Sequence, residues 1–463
     1  MKTIAKRGIF LLILSALFVV GLVILTVSVV HNGNTWAMKR FNSHIYTNGQ
    51  LIGAGTIYDS NGDVLAETVD GKRVYSKDET TRKSTLHVIG DPTNSISTGV
   101  QAAFRSDLTG YSIMYGVYNL EKNGKGNDIN LTIDSEICNL AYNQLNGKKG
   151  TVAVVNYKTG DLVCSVSSPS FDVENIPSDL LTSDKYEGAY INRLLGAHYV
   201  PGSTFKIVTA ICAIENFDDA LTRKWTCTGS YVPGTGVPIT CENHSVHGTI
   251  TLEQAFAKSC NCVFAQIAVE LGSEKLTKTA KELGIGSAVT ISGKIESFAG
   301  TFDGGDDGKD LLGRTGFGQG NTRIAPITML RIVSAIGNGG SAPSFNVISD
   351  VKNNKGNTMD IELPKNQTQL IDKTVCSKIA DLMEYNGKNQ YSDVVPKGLN
   401  VCAKTGTAEI DDNPDHNIAW FVGYMNDDSH PYAFVVVVEN GNSGHYTAAP
   451  IAKKVLQAIV DKY

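Results

Sequence analysis

A hydroxyl with an amine three residues on, a polar triplet, and a second amine beside two hydroxyls occur in that order along this chain. They are Ser203-Thr204-Phe205-Lys206, Ser259-Cys260-Asn261 and Lys404-Thr405-Gly406-Thr407. A serine hydroxyl is a weak nucleophile at neutral pH and needs a base beside it. Pro201-Gly202 punctuates the chain just before Ser203, and the apolar run from Ile207 continues as a helix. Ser203 is therefore expected at the first turn, where free N–H groups and the helix dipole favour a developing anion. Lys206 falls on the same helical face. It can accept a proton only when neutral, and burial together with a second cation, Lys404, would hold it so.

The other two motifs have complementary chemistry. Ser259-Cys260-Asn261 interrupts two apolar-periodic runs between Leu252 and Leu271, which predicts a short loop facing a cleft. A hydroxyl there can relay a proton to a leaving amine, and a carboxamide can bond a substrate amide. Lys404 to Thr407 lies in a strand-like run. Lys404 supplies charge for a carboxylate, the hydroxyls of Thr405 and Thr407 stand beside it, and Gly406 admits a close backbone approach. An extended peptide could add to that strand edge. The backbone N–H groups of Ser203 and Thr407 are candidates for an oxyanion hole. Taken singly, each motif is also an ordinary helix start, helix cap or strand; order and flanks give the set its meaning. Two decoys fail on context. Lys158-Thr159-Gly160 reads as a hairpin turn before the nucleophile, and Ser344-Phe345-Asn346 lacks helical flanks. A Ser-His-Asp site built on His198 lacks the second glycine of its nucleophile elbow.

The elements that must position these groups are partly legible. Thr151 to Asn156 and Leu162 to Val166 read as a hairpin, preceded by a helix ending near Leu145. Helical patterns run from about 205 to 216, 252 to 271, 274 to 283 and 327 to 337. Strand patterns return at 403–410, 419–424 and 432–439, and 448–460 closes the chain as an amphipathic helix. Strands at both ends with helices between predict an α/β or α+β sheet assembled from distant pieces.

The 463 residues allow two or three domains, and 42% hydrophobic with 19% charged residues is ordinary globular composition. A net charge of −5 without a Lys/Arg block gives nucleic-acid binding little support. Ile9 to Val30 carries no charge and, as a helix, spans roughly 33 Å, enough to cross a bilayer. Lys2, Lys6 and Arg7 precede it, so a cytoplasmic N-terminus and an exported body are expected. The run is long for a cleaved signal peptide. This divides the chain into a tail at 1–8, a single-pass transmembrane anchor at 9–30, an extracytoplasmic stem and pedestal at 31–127, and a larger domain at 128–463, with Lys122 to Asn127 as linker. Nine cysteines are present. Cys227 and Cys241 flank a Gly-rich stretch that a disulfide could staple. Cys241, His244 and His247 have metal-like spacing, but no convergent set of four ligands is apparent, so a disulfide or free thiols are the preferred reading. No metal or organic cofactor is expected.

From about Asp128 onward the chain resembles a class B penicillin-binding protein, a monofunctional peptidoglycan D,D-transpeptidase. The residues carrying the likeness are Gly150 to Asn156, Thr159 to Val163, Ser167 to Asp172, Asn192-Arg193, Pro201 to Lys206, Gly318-Gln319-Gly320, Lys404 to Thr407 and Trp420 to Tyr424. The resemblance implies a mainly antiparallel sheet flanked by helices, with Ser203 as nucleophile, Lys206 as base, Ser259 and Asn261 as proton and substrate partners, and Lys404 with Thr405, Gly406 and Thr407 as the substrate-gripping strand. It also implies peptidoglycan stem peptides as substrate, β-lactam antibiotics as acylating inhibitors and a membrane glycan polymerase as a candidate partner. Other readings are a D,D-carboxypeptidase, a β-lactamase or β-lactam sensor, or a catalytically idle scaffold of a cell-wall complex. The long pedestal argues against a simple β-lactamase, and the short tail against a sensor. Departures are Ala54-Gly55 where Arg-Gly is usual, Val200 for a frequent proline, and Cys260 and Cys262 around the triplet, which are candidates for redox sensitivity.

Overall fold

The computed structural model describes residues 2–39, 41–43, 45–47, 50–51, 53–114, 116–117, 125–305, 308–359, 363–411 and 413–463. The expected linker at 122–127 lies partly outside them.

Five strands form the central antiparallel sheet, in the order 401–408, 418–425, 432–438, 150–156, 162–168. The three inner strands are apolar along both faces, for example Tyr432-Ala-Phe-Val-Val-Val-Val438, and every residue of that strand is buried. A sheet buried on both sides needs cover on both sides. Helices Pro326–Gly337, Lys373–Gln390 and Ala449–Lys462 pack against it. Among the described residues the strand carrying Lys404 is an edge, pairing only with 418–425 in the register Lys404↔Val422 and Thr407↔Ala419. Its other flank meets the short 3-10 turn Gly202–Phe205 that opens the helix Lys206–Asn216.

A second five-stranded sheet, in the order 348–352, 128–131, 57–58, 64–69, 72–75, forms the pedestal floor. It draws strands from both sides of Asp128. Asn61-Gly62, a pair suited to a tight turn, lies in the hairpin that joins 57–58 to 64–69, with Gly62 in the left-handed region at φ 87°. Pedestal and larger domain are also clasped by side chains. Arg82 grips Asp172 through Nε and Nη2 at 2.6 and 2.7 Å. His87 Nε2 meets the Ala189 carbonyl at 2.8 Å, and Glu174 accepts from the Tyr75 amide.

The N-terminal helix runs from Lys2 to Ala37 and is long and apolar enough to cross a membrane. Its apolar side chains from Ile9 to Val30 are largely exposed, as lipid contact would require. Met38, just beyond it, is buried in the pedestal, where Thr109 Oγ1 lies 3.7 Å from its sulfur.

Candidate active site

The 3-10 turn puts residues i and i+3 on one side, and so sets Lys206 Nζ 2.8 Å from Ser203 Oγ. Gly202 takes φ 54° to start the turn. Gly318 backs it, its carbonyl accepting from the Gly202 amide at 3.0 Å. A Cβ at Gly318 would stand 1.9 Å from the Gly202 oxygen.

The expected break between helices is present. Leu252–Ala257 and Asn261–Leu271 are separate helices, and Ser259 between them adopts φ 50°. That kink turns the Ser259 carbonyl oxygen, the Ser259 hydroxyl and Asn261 Oδ1 onto Lys206 Nζ at 2.7, 3.0 and 2.8 Å. Lys404 reaches the same Ser259 hydroxyl at 3.0 Å and the Thr405 carbonyl at 3.1 Å. One serine hydroxyl thus bridges two lysine amines.

Lys206 and Lys404 are both fully buried, while Ser203, Ser259, Asn261, Thr405 and Thr407 remain partly exposed around them. Burial drives the Lys206 amine well below its usual range, and the neighbouring Lys404 charge lowers it further. Burial brings Lys404 to about 7, opposed by the negative field of Glu242.

All eight residues singled out from the sequence therefore lie in one place. Gly406 presses the strand onto the Gly202–Phe205 turn, where a Cβ would stand 2.9 Å from Thr204 Cγ2. Other contributors carry no motif. Tyr391 bonds Thr405 twice: its oxygen accepts from the Thr405 amide at 3.0 Å and lies 2.8 Å from Oγ1. Trp420 Nε1 donates to the Val200 carbonyl at 3.0 Å and ties the sheet to the segment entering the turn. The Gly444 amide donates to Thr407 Oγ1 at 3.3 Å. Tyr391 ends a helix with no legible signal, whereas Trp420 sits in a motif already noted for the family likeness. The decoys stay apart: Lys158 to Gly160 is a turn, and the Asn346 carboxamide bonds the Pro364 carbonyl.

A buried amine against a serine at the start of a helix, with a lysine-bearing edge strand opposite, defines a class of acyl-transfer fold. The penicillin-binding protein transpeptidase domain matches residues 150–457, and the chain belongs to that family. It is 26% identical over 363 residues to the peptidoglycan D,D-transpeptidase PbpA of Mycobacterium tuberculosis, covering 72% of each chain. It is 27% identical over 434 residues to the stage V sporulation protein D of Bacillus subtilis, covering 84% of this chain and 65% of that one. Penicillin-binding protein A from M. tuberculosis, solved as an imipenem acyl-enzyme complex, superposes with a TM-score of 0.78 at 24% identity, covering 88% of this chain and 98% of that one.

Proposed function

We propose that this protein is a membrane-anchored, serine-type D,D-transpeptidase that cross-links peptidoglycan stem peptides and is acylated by β-lactams. The observation that carries the reading is Lys206 Nζ set 2.8 Å from Ser203 Oγ while sharing the Ser259 hydroxyl with Lys404. As a neutral amine, Lys206 has two N–H groups, which suit the Ser259 carbonyl and Asn261 Oδ1, and a lone pair, which accepts from the Ser203 hydroxyl. Ser203 attacks the penultimate D-Ala carbonyl and its proton passes to Lys206. The Ser259 hydroxyl hands a proton to the departing D-Ala amine and is reprotonated from Lys206, which lies 3.0 Å away. An amine from a second stem then attacks the ester, and its proton passes by way of Ser259 and Lys206 to the departing Ser203 oxygen.

Lys404 and the hydroxyls of Thr405 and Thr407 hold the donor's terminal carboxylate, and the donor backbone lies along the edge strand. The amides of Ser203 and Thr407 receive the oxyanion, each such donor being worth about 3 kcal/mol. The N-terminal helix serves as a retained single-pass anchor with residues 1–8 cytoplasmic. Residues 31–127 form the stem and pedestal, which present the catalytic body at 128–463 outside the membrane and offer a surface to a membrane glycan polymerase. The relatives named as peptidoglycan D,D-transpeptidases and the neighbour solved as a β-lactam acyl-enzyme support the assignment.

Intact mass after incubation with benzylpenicillin tests it. Wild type should gain one penicilloyl mass and Ser203→Ala none. Turnover of penicillin without a lasting adduct would instead indicate a β-lactamase. Release of D-Ala from a stem peptide to water, without cross-linked product when an acceptor amine is supplied, would indicate a carboxypeptidase.

A further inference from the structure

Four potential metal ligands converge beside the catalytic loop. Cys227 ends the strand Lys224–Cys227, and His247 immediately precedes its antiparallel partner Gly248–Thr251. Cys241 follows the short strand Ile239–Thr240. Cys260 is the middle residue of Ser259-Cys260-Asn261 and caps the helix that starts at Asn261. Their Sγ and Nδ1 atoms all lie within 4.8 Å of one another.

The spacing has a specific meaning. Cys227 Sγ is 3.7 Å from Cys241 Sγ, Cys241 Sγ is 3.5 Å from Cys260 Sγ, and Cys227 Sγ is 3.5 Å from His247 Nδ1. A disulfide needs about 2.05 Å, and all nine cysteines are free, so of the two preferred readings the thiols, not a Cys227–Cys241 staple, are present. A tetrahedral zinc with bonds of about 2.3 Å to sulfur and about 2.05 Å to nitrogen has edges of roughly 3.8 Å (S to S) and roughly 3.6 Å (S to N). The two S–S separations and the S–N separation just given are close to those edges, and the remaining ones stay within 4.8 Å. The Val263 amide points at Cys260 Sγ from 3.4 Å, an interaction a thiolate takes well. His244, which the sequence spacing grouped with Cys241, is exposed and outside the cluster. The fourth ligand comes instead from Cys260. Cys262 Sγ approaches Cys241 Sγ at 3.5 Å but also faces the Ile239 carbonyl and is not in the quartet.

We propose that Cys227, Cys241, Cys260 and His247 bind one structural zinc ion that fixes the Ser259–Asn261 loop against Lys206. Binding takes up Zn²⁺ and releases three thiol protons, leaving a closed site of three thiolates and one imidazole. The metal bonds the residue between Ser259 and Asn261, and so positions two partners of Lys206 without touching substrate. It joins the loop to the 224–251 segment, where the Thr240 carbonyl already accepts from Asn261 Nδ2 at 3.0 Å. The four ligands are positioning residues.

The test uses the full-length protein in detergent, purified without chelator. Elemental analysis should find about one zinc per chain, lost in Cys227→Ser and, as a milder change, in His247→Gln. Cobalt exchanged for zinc in the wild type should show thiolate charge-transfer and tetrahedral ligand-field absorption, and Cys227→Ser should lose the charge-transfer intensity. Stripping zinc should slow acylation by benzylpenicillin at least tenfold, with recovery on adding Zn²⁺. Metal-free wild type carrying a Cys227–Cys241 cross-link by peptide mapping would overturn the proposal. So would full zinc content retained in both variants. Stoichiometric zinc in a protein that no β-lactam or stem peptide acylates would uphold the metal site and count against the transpeptidase reading instead.

Discussion

In the proposed reaction Lys206 must be neutral to take the Ser203 proton, and Lys404 must be charged to hold a carboxylate. The site sets the two amines against each other, since burial and the Lys404 charge both depress Lys206. As pH rises through the lowered Lys206 value the base becomes available, so acylation rises. Lys404 in the free protein loses its charge above about 7, so the second-order acylation constant should then fall. The expected profile is a bell whose limbs belong to the coupled pair. A bound carboxylate would raise the Lys404 value and move the alkaline limb outward at saturating ligand. In Lys404→Met the neighbouring charge is gone, so the acid limb should shift to higher pH and the constant should drop by about 10- to 100-fold. Stopped-flow acylation with a fluorescent penicillin would read both, and a flat wild-type profile from about pH 5 to about 9 would refute the assignment.

At the scale of elements, the buried strands and the amphipathic closing helix were legible because their patterns are long. The strand at 401–408 was legible because Ala403 and Ala408 flank the polar residues of its motif. The helix Lys373–Gln390, which delivers Tyr391 to Thr405, was not. It contains Asn386-Gly387, a pair that reads as a turn. The structure explains the pair by tertiary contact. A Cβ at 387 would meet the Val401 carbonyl at 1.8 Å, and Asn386 Nδ2 donates to the Ala403 carbonyl at 2.7 Å. Glycine here lets helix and edge strand touch, and no local pattern reveals that. Similarly, the four metal-ligand candidates come from separate segments, so sequence spacing placed His244 beside Cys241 and His247 and did not bring in Cys260. The motif residues themselves were legible because each type and its flanks mark a local element.

Gly318 gives the element scale a direct test. It holds φ 83° with its α-carbon against the Gly202 carbonyl. Gly318→Ala must either move the Gly202–Phe205 turn or endure the clash. It should lower stability by about 2 kcal/mol and slow acylation at least tenfold. Denaturant melts and penicillin acylation on the same sample would check both. An alanine variant with wild-type acylation would mean that the Gly202–Ser203 turn tolerates displacement.

Across the whole molecule, the segment at 53–114 is held to the body that follows residue 128 by groups that respond to acid in separate pH windows. His87 is fully buried at the join, with Nε2 on the Ala189 carbonyl and no partner for Nδ1 among the described residues. Burial lowers its value from 6.5 to about 4. The unfolded chain therefore binds this proton before the folded one does, and stability falls as pH drops from about 6.5 to about 4, by up to about 3 kcal/mol. Asp172 is held well below the usual carboxylate range by Arg82. Its contribution is fully present above about 4 and is lost only as pH falls further. Between about pH 6 and about 4 the loss should thus come from His87 and act at the join, where Arg82–Asp172 still holds. His87→Gln keeps an N–H for the Ala189 carbonyl and removes the titration, so its stability should be nearly flat over that interval. Arg82→Met should instead cost about 2 kcal/mol at neutral pH by removing the counter-ion of a buried carboxylate that keeps only the Glu174 amide and Asn175 Nδ2, while retaining the His87 slope. Calorimetric melts of the three proteins from about pH 7 to about 4 separate these effects. A wild type as stable at the acid end as at neutrality would remove His87 from the account of how the pedestal is held.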